Sequence, residues 1–286
     1  VFLYTTLFRS APVTNALNSE KILPARYKKT ALHESSRLNP GQQLRLLSYN
    51  IQTGISTRRF HHYLTHSWKH LLPHSERIEN LNRIARMVHD YDVVGLQEVD
   101  GGSLRSGFIN QTEYLAVRAG FPYWYDQTNR NLGKIAQHSI GMLSRFATAE
   151  ITEHKLPGII PGRGALTVEF KTAGNPLILV ILHLALSRRA RKRQLAFVSE
   201  LLTGYEHAIV MGDMNCQPDS DEMAWLMENS QLTAPTATLP TFPSWRPLKN
   251  IDHILVSPML TVEDISVLNY PLSDHLPISM TVRLPD

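Results

Sequence analysis

Polar residues follow several short apolar runs of the sequence and could act together. Asn50, Glu98, His183 and Asp213 each end such a run, and Asn215 follows two residues after Asp213. A carboxylate at the end of a buried strand lies at the rim of the sheet, because an unpaired charge in the core is costly. Each residue has an ordinary alternative, since acids and amides often end strands where loops begin. As a set they offer oxygen ligands for a hard cation together with imidazole donors.

Two later segments add the same residue types. Residues 251–253 read IDH and residues 273–275 read SDH. Asp252, Asp274 and His275 therefore join the candidates. A carboxylate behind a histidine commonly fixes the tautomer of the ring, and either aspartate could do this for His275.

The elements that must position these residues follow an α/β pattern, in which short apolar runs alternate with helical periods. Strands are expected at 44–50, 92–99, 139–145, 165–170, 177–183, 207–213, 251–257 and 278–284. Three helices are expected between them, with caps at Ser75, Ser187 and Asp219. Gly204 is placed to stop the second of these helices.

The sequence also contains a repeat of pattern. A strand, a helix and a strand that ends in an acid occur at 44–98 and again at 177–213. Two such halves, each a sheet covered by helices, would form a four-layer α/β/β/α sandwich when packed face to face. No linker follows residue 44, so residues 44–286 are predicted to form one catalytic domain.

The start of the chain is expected to lie outside this domain. Residues 1–10 resemble the translation of a sequencing-adapter oligonucleotide and are expected to be a non-native segment, and residues 11–43 are predicted to be an N-terminal extension. No run of eighteen apolar residues exists, so no transmembrane segment is expected. A monomer in the cytoplasm is expected, with the natural N-terminus and any targeting signal left open.

Composition limits the chemistry. The single Cys216 excludes an internal disulfide and a thiolate metal cluster. Nothing around it indicates covalent catalysis. The net charge of +4 is a mild bias toward an anionic partner.

The motifs resemble a known superfamily in their order. SYNIQ, GLQEV, SIGMLSR, ILHL, MGDMN, IDHILVS and SDHLP follow one another as in the endonuclease/exonuclease/phosphatase superfamily, which is deoxyribonuclease I-like. The resemblance covers residues 44–283. It is greatest to small bacterial metal-dependent hydrolases of that group, and it implies the same four-layer fold.

The resemblance also implies roles for the candidate residues. Glu98 would be the main ligand of Mg²⁺, for which Mn²⁺ could substitute, with Asn50 and Asp274 nearby. Asp213 would orient or deprotonate the attacking water, and Asn215 would steady that water or a phosphate oxygen. The remaining members would donate to phosphoryl oxygens or orient a donor, namely His183, His275 and Asp252. Such chemistry needs cations and donors because a phosphoester is anionic. Whether one or two metal ions act is left open.

Several other features have two interpretations. Arg105 and Arg163 are candidate substrate contacts by their positions in loops, as are Arg130 and Tyr125. Trp245 could stack on a base or cover a lipid or a sugar, or it could equally pack at the edge of the sandwich. His62, His66, His70 and His74 are spaced four apart and could bind a metal, although a lid over the site is the favoured interpretation. The arginine-rich run at 188–193 either grips an anionic partner or is a solvated helix face.

The predicted function is therefore that of a Mg²⁺-dependent hydrolase of phosphate esters, a phosphodiesterase for which nuclease activity is one option. Its predicted partner is a phosphoester, including nucleic acid. The alternatives are a small-molecule or lipid-headgroup phosphoesterase and a catalytically silent binding module on the same fold.

Overall fold

The computed structural model describes residues 37–54, 74–131, 137–158, 162–235, 237 and 239–286. Within them the helices are α1 (His74–Val88), α2 (Gln111–Ala119), α3 (Arg188–Leu201) and α4 (Asp221–Asn229). The strands are β1 (Gln43–Asn50), β2 (Val93–Val99), β3 (Tyr123–Asn131), β4 (Gln137–Ser144), β5 (Glu150–Lys155), β6 (Gly164–Phe170), β7 (Leu177–His183), β8 (His207–Asp213), β9 (Asp252–Val256), β10 (Thr261–Val267) and β11 (Ile278–Arg283).

The strands form two mixed sheets. The first has the order β10-β11-β1-β2-β4-β3 and the second has the order β5-β6-β7-β8-β9. Only the pairs β1–β2 and β7–β8 are parallel among these described strands. Each parallel pair is joined through a helix, so the predicted repeat corresponds to two βαβ units, one in the centre of each sheet.

The two sheets pack face to face and helices cover their outer sides. Side chains of both sheets share one buried cluster, which includes Leu46 and Met280 from the first sheet and Leu179 and Ile209 from the second. A second cluster joins the first sheet to α1 and α2, and a third joins the second sheet to α3 and α4. The chain therefore has the predicted four-layer α/β/β/α sandwich, because each sheet buries both of its faces.

All eight predicted strands are present, but the sequence missed three others and one helix. The missed strands β3, β5 and β10 each lie at the edge of a sheet. Strand β5 is mostly half-buried and β10 is largely exposed, and neither contains a continuous run of buried apolar residues. Edge strands need less apolar sequence, so a search for buried runs does not find them. Helix α2 was missed because its nine residues carry only a short apolar stripe.

The helix caps were predicted with mixed success. The Ser187 side chain accepts a hydrogen bond from the backbone N–H of Ala190, which confirms its predicted cap. The predicted cap at Asp219 is wrong, because Ser220 caps α4 and accepts from the N–H of Met223. Ser75 is not a cap either, since α1 already begins one residue before it.

Residues just before position 44 also pack against the domain predicted for 44–286. Gln43 already belongs to β1. Leu38 is 1% exposed, lies in the core between the sheets and bridges to Thr172. The backbone N–H of Gly41 donates to the carbonyl of Pro285, which ties this segment to the other end of the chain. The predictions for residues 1–10 and for most of the extension lie outside the described residues.

None of the helices that the structure describes is long and apolar enough to cross a membrane.

Candidate active site

The polar ends of the central strands meet at one cleft of about 800 Å³. Seven of the predicted site residues line it: Glu98, Arg163, His183, Asp213, Asn215, Asp274 and His275. Asn50 and Asp252 lie directly behind them, both buried. The structure therefore brings both sheets to one site, with Asn50 and Glu98 from the first and His183 and Asp213 from the second.

Strands β7 and β8 place a histidine beside an aspartate. His183 and Asp213 are direct partners in the parallel register, and His183 Nε2 lies 3.3 Å from Asp213 Oδ2. Gly212 makes this approach feasible, since a Cβ atom there would collide with the carbonyl oxygen of Leu182. The pair is thus built from two regular strand ends.

Glu98 is positioned by an irregularity in β2. Leu96 pairs with Gly141 of β4 and Val99 pairs with Ser139, so Gln97 and Glu98 together oppose a single residue. Such a β-bulge redirects a side chain. Glu98 has a φ of 55°, and its side chain remains 33% exposed at the cleft. The bulge thereby turns an acid of a central strand toward solvent.

Asp213 is the hub of the site. Its Oδ2 accepts a hydrogen bond of 3.1 Å from Asn50 Nδ2, and its Oδ1 accepts one of 3.0 Å from the backbone N–H of Asn215. Burial would raise the pKa of Asp213, but His275 and His183 hold it well below its usual range. The carboxylate therefore stays ionised in a buried position at neutral pH.

His275 is held between two carboxylates. Its Nδ1 lies 2.8 Å from Asp252 Oδ2, and its Nε2 lies 3.8 Å from Asp213 Oδ2. Burial would lower the pKa of His275, but Asp252 and Asp213 raise it to about 10. The Thr241 hydroxyl donates to the same oxygen of Asp252. Of the two aspartates left open by the sequence, Asp252 is the one that contacts Nδ1.

Asp274 is a second carboxylate near Glu98. Burial raises the pKa of Asp274 to about 6, and the Glu98 carboxylate adds to this although His275 opposes it. The Ser273 hydroxyl lies 3.3 Å from Asp274 Oδ1 and 2.6 Å from the carbonyl of Asn50. Two carboxylates that lie close together at the surface of a cleft form a place where a cation would be favourable.

The donor set fits a divalent metal ion at more than one place. Asp213, Asp252 and His275 offer ligand atoms within 4.8 Å of one another. Oδ1 of Asp252 is buried and has no hydrogen-bond partner among the described residues. A buried divalent-cation site is therefore compatible with this group as well as with the carboxylates at the cleft surface.

Arg163 supplies a cation at the edge of the same cleft. Burial lowers the pKa of its guanidinium, and the Asp213 and Glu98 carboxylates oppose this change. No carboxylate of the described residues forms an ion pair with it. A half-buried guanidinium without a partner is suited to bind an anionic group.

Two other predicted contacts, Trp245 and Tyr125, are not among the described residues that line the cleft. Trp245 is half-buried and is absent from the described lining. Tyr125 lies in the core between the sheets and donates to Glu153. The side chain of Arg105 lies outside the described residues, as do His62, His66 and His70 and the side chain of His74.

The arginine-rich run is partly neutralised by α4. Arg191 is largely buried, and its Nε and Nη2 both donate to Oε1 of Glu222. Arg188 pairs with Asp221 and lies 3.4 Å from Oε2 of Glu222. These two arginines therefore line the cleft without a free charge, whereas Arg189 and Arg193 point to a neighbouring groove.

Cys216 lines the cleft but is unsuited to nucleophilic attack. Burial raises the pKa of its thiol to about 11, and the thiolate is the reactive form. This agrees with the expectation from sequence that Cys216 takes no covalent role.

The sequence missed several residues that support the site. Thr241 orients Asp252, Ser273 links Asn50 to the 273–275 segment, and Gln111 contacts the loop after Glu98. Thr241 and Ser273 had a signal, since Thr241 belongs to the TFPS segment of residues 241–244 and Ser273 begins the SDHLP motif. Gln111 has a residue type that occurs throughout the surface of proteins, and its importance comes from burial that the sequence does not show.

Solved structures share the fold at low sequence identity. An endonuclease/exonuclease/phosphatase from Beutenbergia cavernae is 20% identical, with 85% of this chain and 72% of that chain covered and a TM-score of 0.66. A family protein from Bacteroides thetaiotaomicron is also 20% identical, with 86% and 99% covered and a TM-score of 0.64. A mannosyl-6-phosphatase from the same organism is 20% identical, with 84% and 99% covered and a TM-score of 0.61. No curated protein sequence matches the chain significantly.

Fold and site together define the class of a hydrolase that acts on phosphoester bonds, with a buried Asp–His–Asp group able to hold a divalent metal ion. The model of the Endonuclease/Exonuclease/phosphatase family matches residues 47–275. The chain belongs to this family, which confirms the superfamily resemblance of its motifs.

Proposed function

We propose that the protein is a Mg²⁺-dependent phosphoesterase in which Asp213 activates the attacking water. The observation that carries this proposal is the setting of Asp213 between two histidines and two amide donors, across the cleft from Glu98. A buried carboxylate kept ionised by such partners can orient a water molecule and accept its proton.

Glu98 and Asp274 would hold the metal ion. Both carboxylates line the cleft, and Mg²⁺ favours a small number of carboxylates together with water. Bound Mg²⁺ would neutralise charge on the phosphoryl oxygens and lower the pKa of water. Asn50 would act from behind, because its amide nitrogen is already committed to Asp213. Mn²⁺ is the expected substitute.

The histidines and Arg163 would stabilise the phosphoryl group. His275 keeps its proton at neutral pH, so Nε2 can donate toward the cleft while Nδ1 remains on Asp252. His183 Nε2 faces both Glu98 and Asp213, which places it between the proposed ligand and the proposed base. Arg163 adds a guanidinium, and Asn215 lines the cleft beside Asp213. These donors together oppose the negative charge that develops in the transition state.

A small phosphoester is the favoured substrate. Arg188 and Arg191 are occupied by Asp221 and Glu222, so they offer little free charge to a polyanion. A protein with a nucleic-acid substrate usually contacts many phosphates with free cations. The mannosyl-6-phosphatase of similar fold is a precedent for a small substrate. Nucleic acid is the second candidate, because Arg189 and Arg193 remain exposed beside the cleft.

Hydrolysis of bis-p-nitrophenyl phosphate tests the proposed class. We expect turnover with Mg²⁺ or Mn²⁺, loss of turnover with EDTA and recovery when the metal is restored. A panel of sugar phosphates, sphingomyelin, supercoiled DNA and single-stranded RNA then tests the substrate. Faster hydrolysis of nucleic acid, with an affinity that falls steeply as salt rises, would contradict the small-substrate proposal. An absence of metal-dependent hydrolysis on the whole panel would favour the silent binding module.

A further inference from the structure

The loop that follows Glu98 is fastened by one buried glutamine, Gln111, the first residue of α2. Gln111 is 0% exposed. Its Oε1 accepts a hydrogen bond of 2.9 Å from the backbone N–H of Asp100. Its Nε2 donates one of 2.9 Å to the carbonyl of Thr53. One side chain thus joins the segment after β1 to the segment after β2.

These contacts close a ring around Glu98. The Thr53 hydroxyl donates to the Glu98 carbonyl at 3.2 Å, and the backbone N–H of Gln111 donates to the carbonyl of Asp100 at 3.0 Å. The Asp100 side chain accepts from Ser103 and Ser106 and so holds the next part of the loop.

The ring encloses backbone that few side chains favour. Among the described residues, five other than glycine have positive φ, and three of them belong here: Gln52 at 44°, Thr53 at 57° and Glu98 at 55°. Such conformations persist only where the surroundings fix them. The side chain of Gln111 is the element that spans the two strained segments, since it bonds Thr53 on one side and Asp100 on the other.

We infer that Gln111 is a positioning residue that holds Glu98 in its metal-binding orientation. The inference rests on the proposed function, in which Glu98 is a metal ligand. Gln111 does not line the cleft, so it acts through the backbone on either side of Glu98. Residues that orient metal ligands commonly contribute about 10- to 100-fold in metal affinity.

The second half of the molecule offers a matched control. Gln194 of α3 is 1% exposed and makes the same two kinds of contact. Its Oε1 accepts from the N–H of Ala185 at 2.9 Å, and its Nε2 donates to the carbonyl of Pro157 at 3.1 Å. It contacts neither of the segments that border Glu98. Comparison of Gln111→Met with Gln194→Met can therefore separate a general loss of protein stability from a specific loss of metal affinity.

The test is calorimetric titration of Mg²⁺ into purified Gln111→Met, Gln194→Met, Glu98→Gln and the unchanged protein. We expect Gln111→Met to raise the Kd for Mg²⁺ by about 10- to 100-fold. We expect Gln194→Met to lower the melting temperature comparably while leaving the Kd unchanged. In Gln111→Met the lost kcat should return at high Mg²⁺, with the KM for bis-p-nitrophenyl phosphate unaltered there.

The outcomes separate this inference from the proposed function. Weak Mg²⁺ binding in Glu98→Gln with normal binding in Gln111→Met would overturn the inference alone, as would equal weakening in both glutamine variants. Normal binding in Glu98→Gln would overturn the ligand assignment and the inference with it. If Gln111→Met does not fold, Thr53→Val removes the hydroxyl bond to Glu98 and should weaken Mg²⁺ binding. Thr53→Ser keeps that hydroxyl and should bind as the unchanged protein does.

Discussion

The two βαβ units hold their polar strand ends in different ways. In the second sheet, His183 and Asp213 lie opposite one another in an unbroken register of β7 and β8. In the first sheet, Asn50 lies opposite Gln97, and Glu98 reaches the cleft only through a bulge. The second unit positions its site residues by regular strand pairing, whereas the first unit positions Glu98 by an irregularity in that pairing.

The difference concerns strain and support. Positive φ costs on the order of 1–3 kcal/mol for residues other than glycine, and asparagine tolerates it better than glutamate or threonine. Directly after the second unit this conformation falls at Asn215, whereas in the first unit it falls at Gln52, Thr53 and Glu98. In the inference above, Gln111 supplies the support that the first unit needs. In the second unit, the Arg191–Glu222 ion pair joins α3 to α4. We expect the first unit to control metal affinity and the second to control proton transfer.

Asp213→Asn should have the largest effect. The amide keeps the shape but cannot accept a proton, so kcat should fall by about 10²- to 10⁴-fold. Because Asp213 belongs to the unit that handles protons, added Mg²⁺ should not restore the rate. The measurement is kcat for bis-p-nitrophenyl phosphate across a Mg²⁺ titration, with circular dichroism as the control for folding. Recovery of activity at high Mg²⁺ would contradict the proposal that the second unit controls proton transfer and the first controls metal affinity.

Glu98→Gln should nearly abolish turnover at ordinary Mg²⁺ while the protein remains folded. The loss of a direct ligand should exceed the effect of an orienting residue, hence more than about 100-fold. Here the defect is in metal binding, so a higher Mg²⁺ concentration should restore part of the rate. Full activity at ordinary Mg²⁺ would instead show that Glu98 is not the ligand. Comparison with Asp213→Asn in the same titration separates the two units most sharply.

The sequence was informative where burial and chemistry coincide. Apolar runs such as LILVILH and HAIVMGD predict central strands, and the histidine or aspartate that ends each run indicates the position of the site. The sequence could not predict features that depend on three-dimensional contacts. The residue types around Glu98 do not indicate the bulge. The sequence also does not show that Asp221 lies beside Arg188 and neutralises its charge. The edge strands β3, β5 and β10 were missed for the same reason, because pairing with a neighbouring strand contributes more to their formation than their own residue types do.

Asp252→Asn should have an intermediate effect. The Asp252 carboxylate orients His275 through Nδ1 and stabilises its charged form. An amide can present its nitrogen to that ring and favour the wrong tautomer, so kcat should fall by about 10²-fold. The Kd for Mg²⁺, measured by calorimetry, should change much less than in Glu98→Gln. A large rise in that Kd would mean that the metal lies at the Asp213–Asp252–His275 group instead.

Arg191→Gln should affect stability more than chemistry. Arg191 and Glu222 form a largely buried ion pair that joins α3 to α4. Removal of one partner leaves the other charge buried, which costs about 3 kcal/mol or more. Arg189→Gln changes an exposed arginine on the same helix and should shift the free energy of unfolding by less than about 0.5 kcal/mol. Urea denaturation of both variants checks this, and equal stability would show that the pair does not support the second unit.

The smallest expected effect is a pH dependence from the same pair. Burial would raise the pKa of Glu222, but the hydrogen bonds and charge of Arg191 lower it below its usual value. A depressed carboxylate pKa stabilises the folded state at pH values above the unfolded pKa of about 4.5, and this contribution is lost as the pH falls through the folded value. Glu222→Gln lacks this contribution at every pH. The unchanged protein should therefore exceed Glu222→Gln in unfolding free energy by a margin that becomes smaller from pH 6 to pH 3. A margin that stays constant over this range would show that the charge of Glu222 does not stabilise the fold.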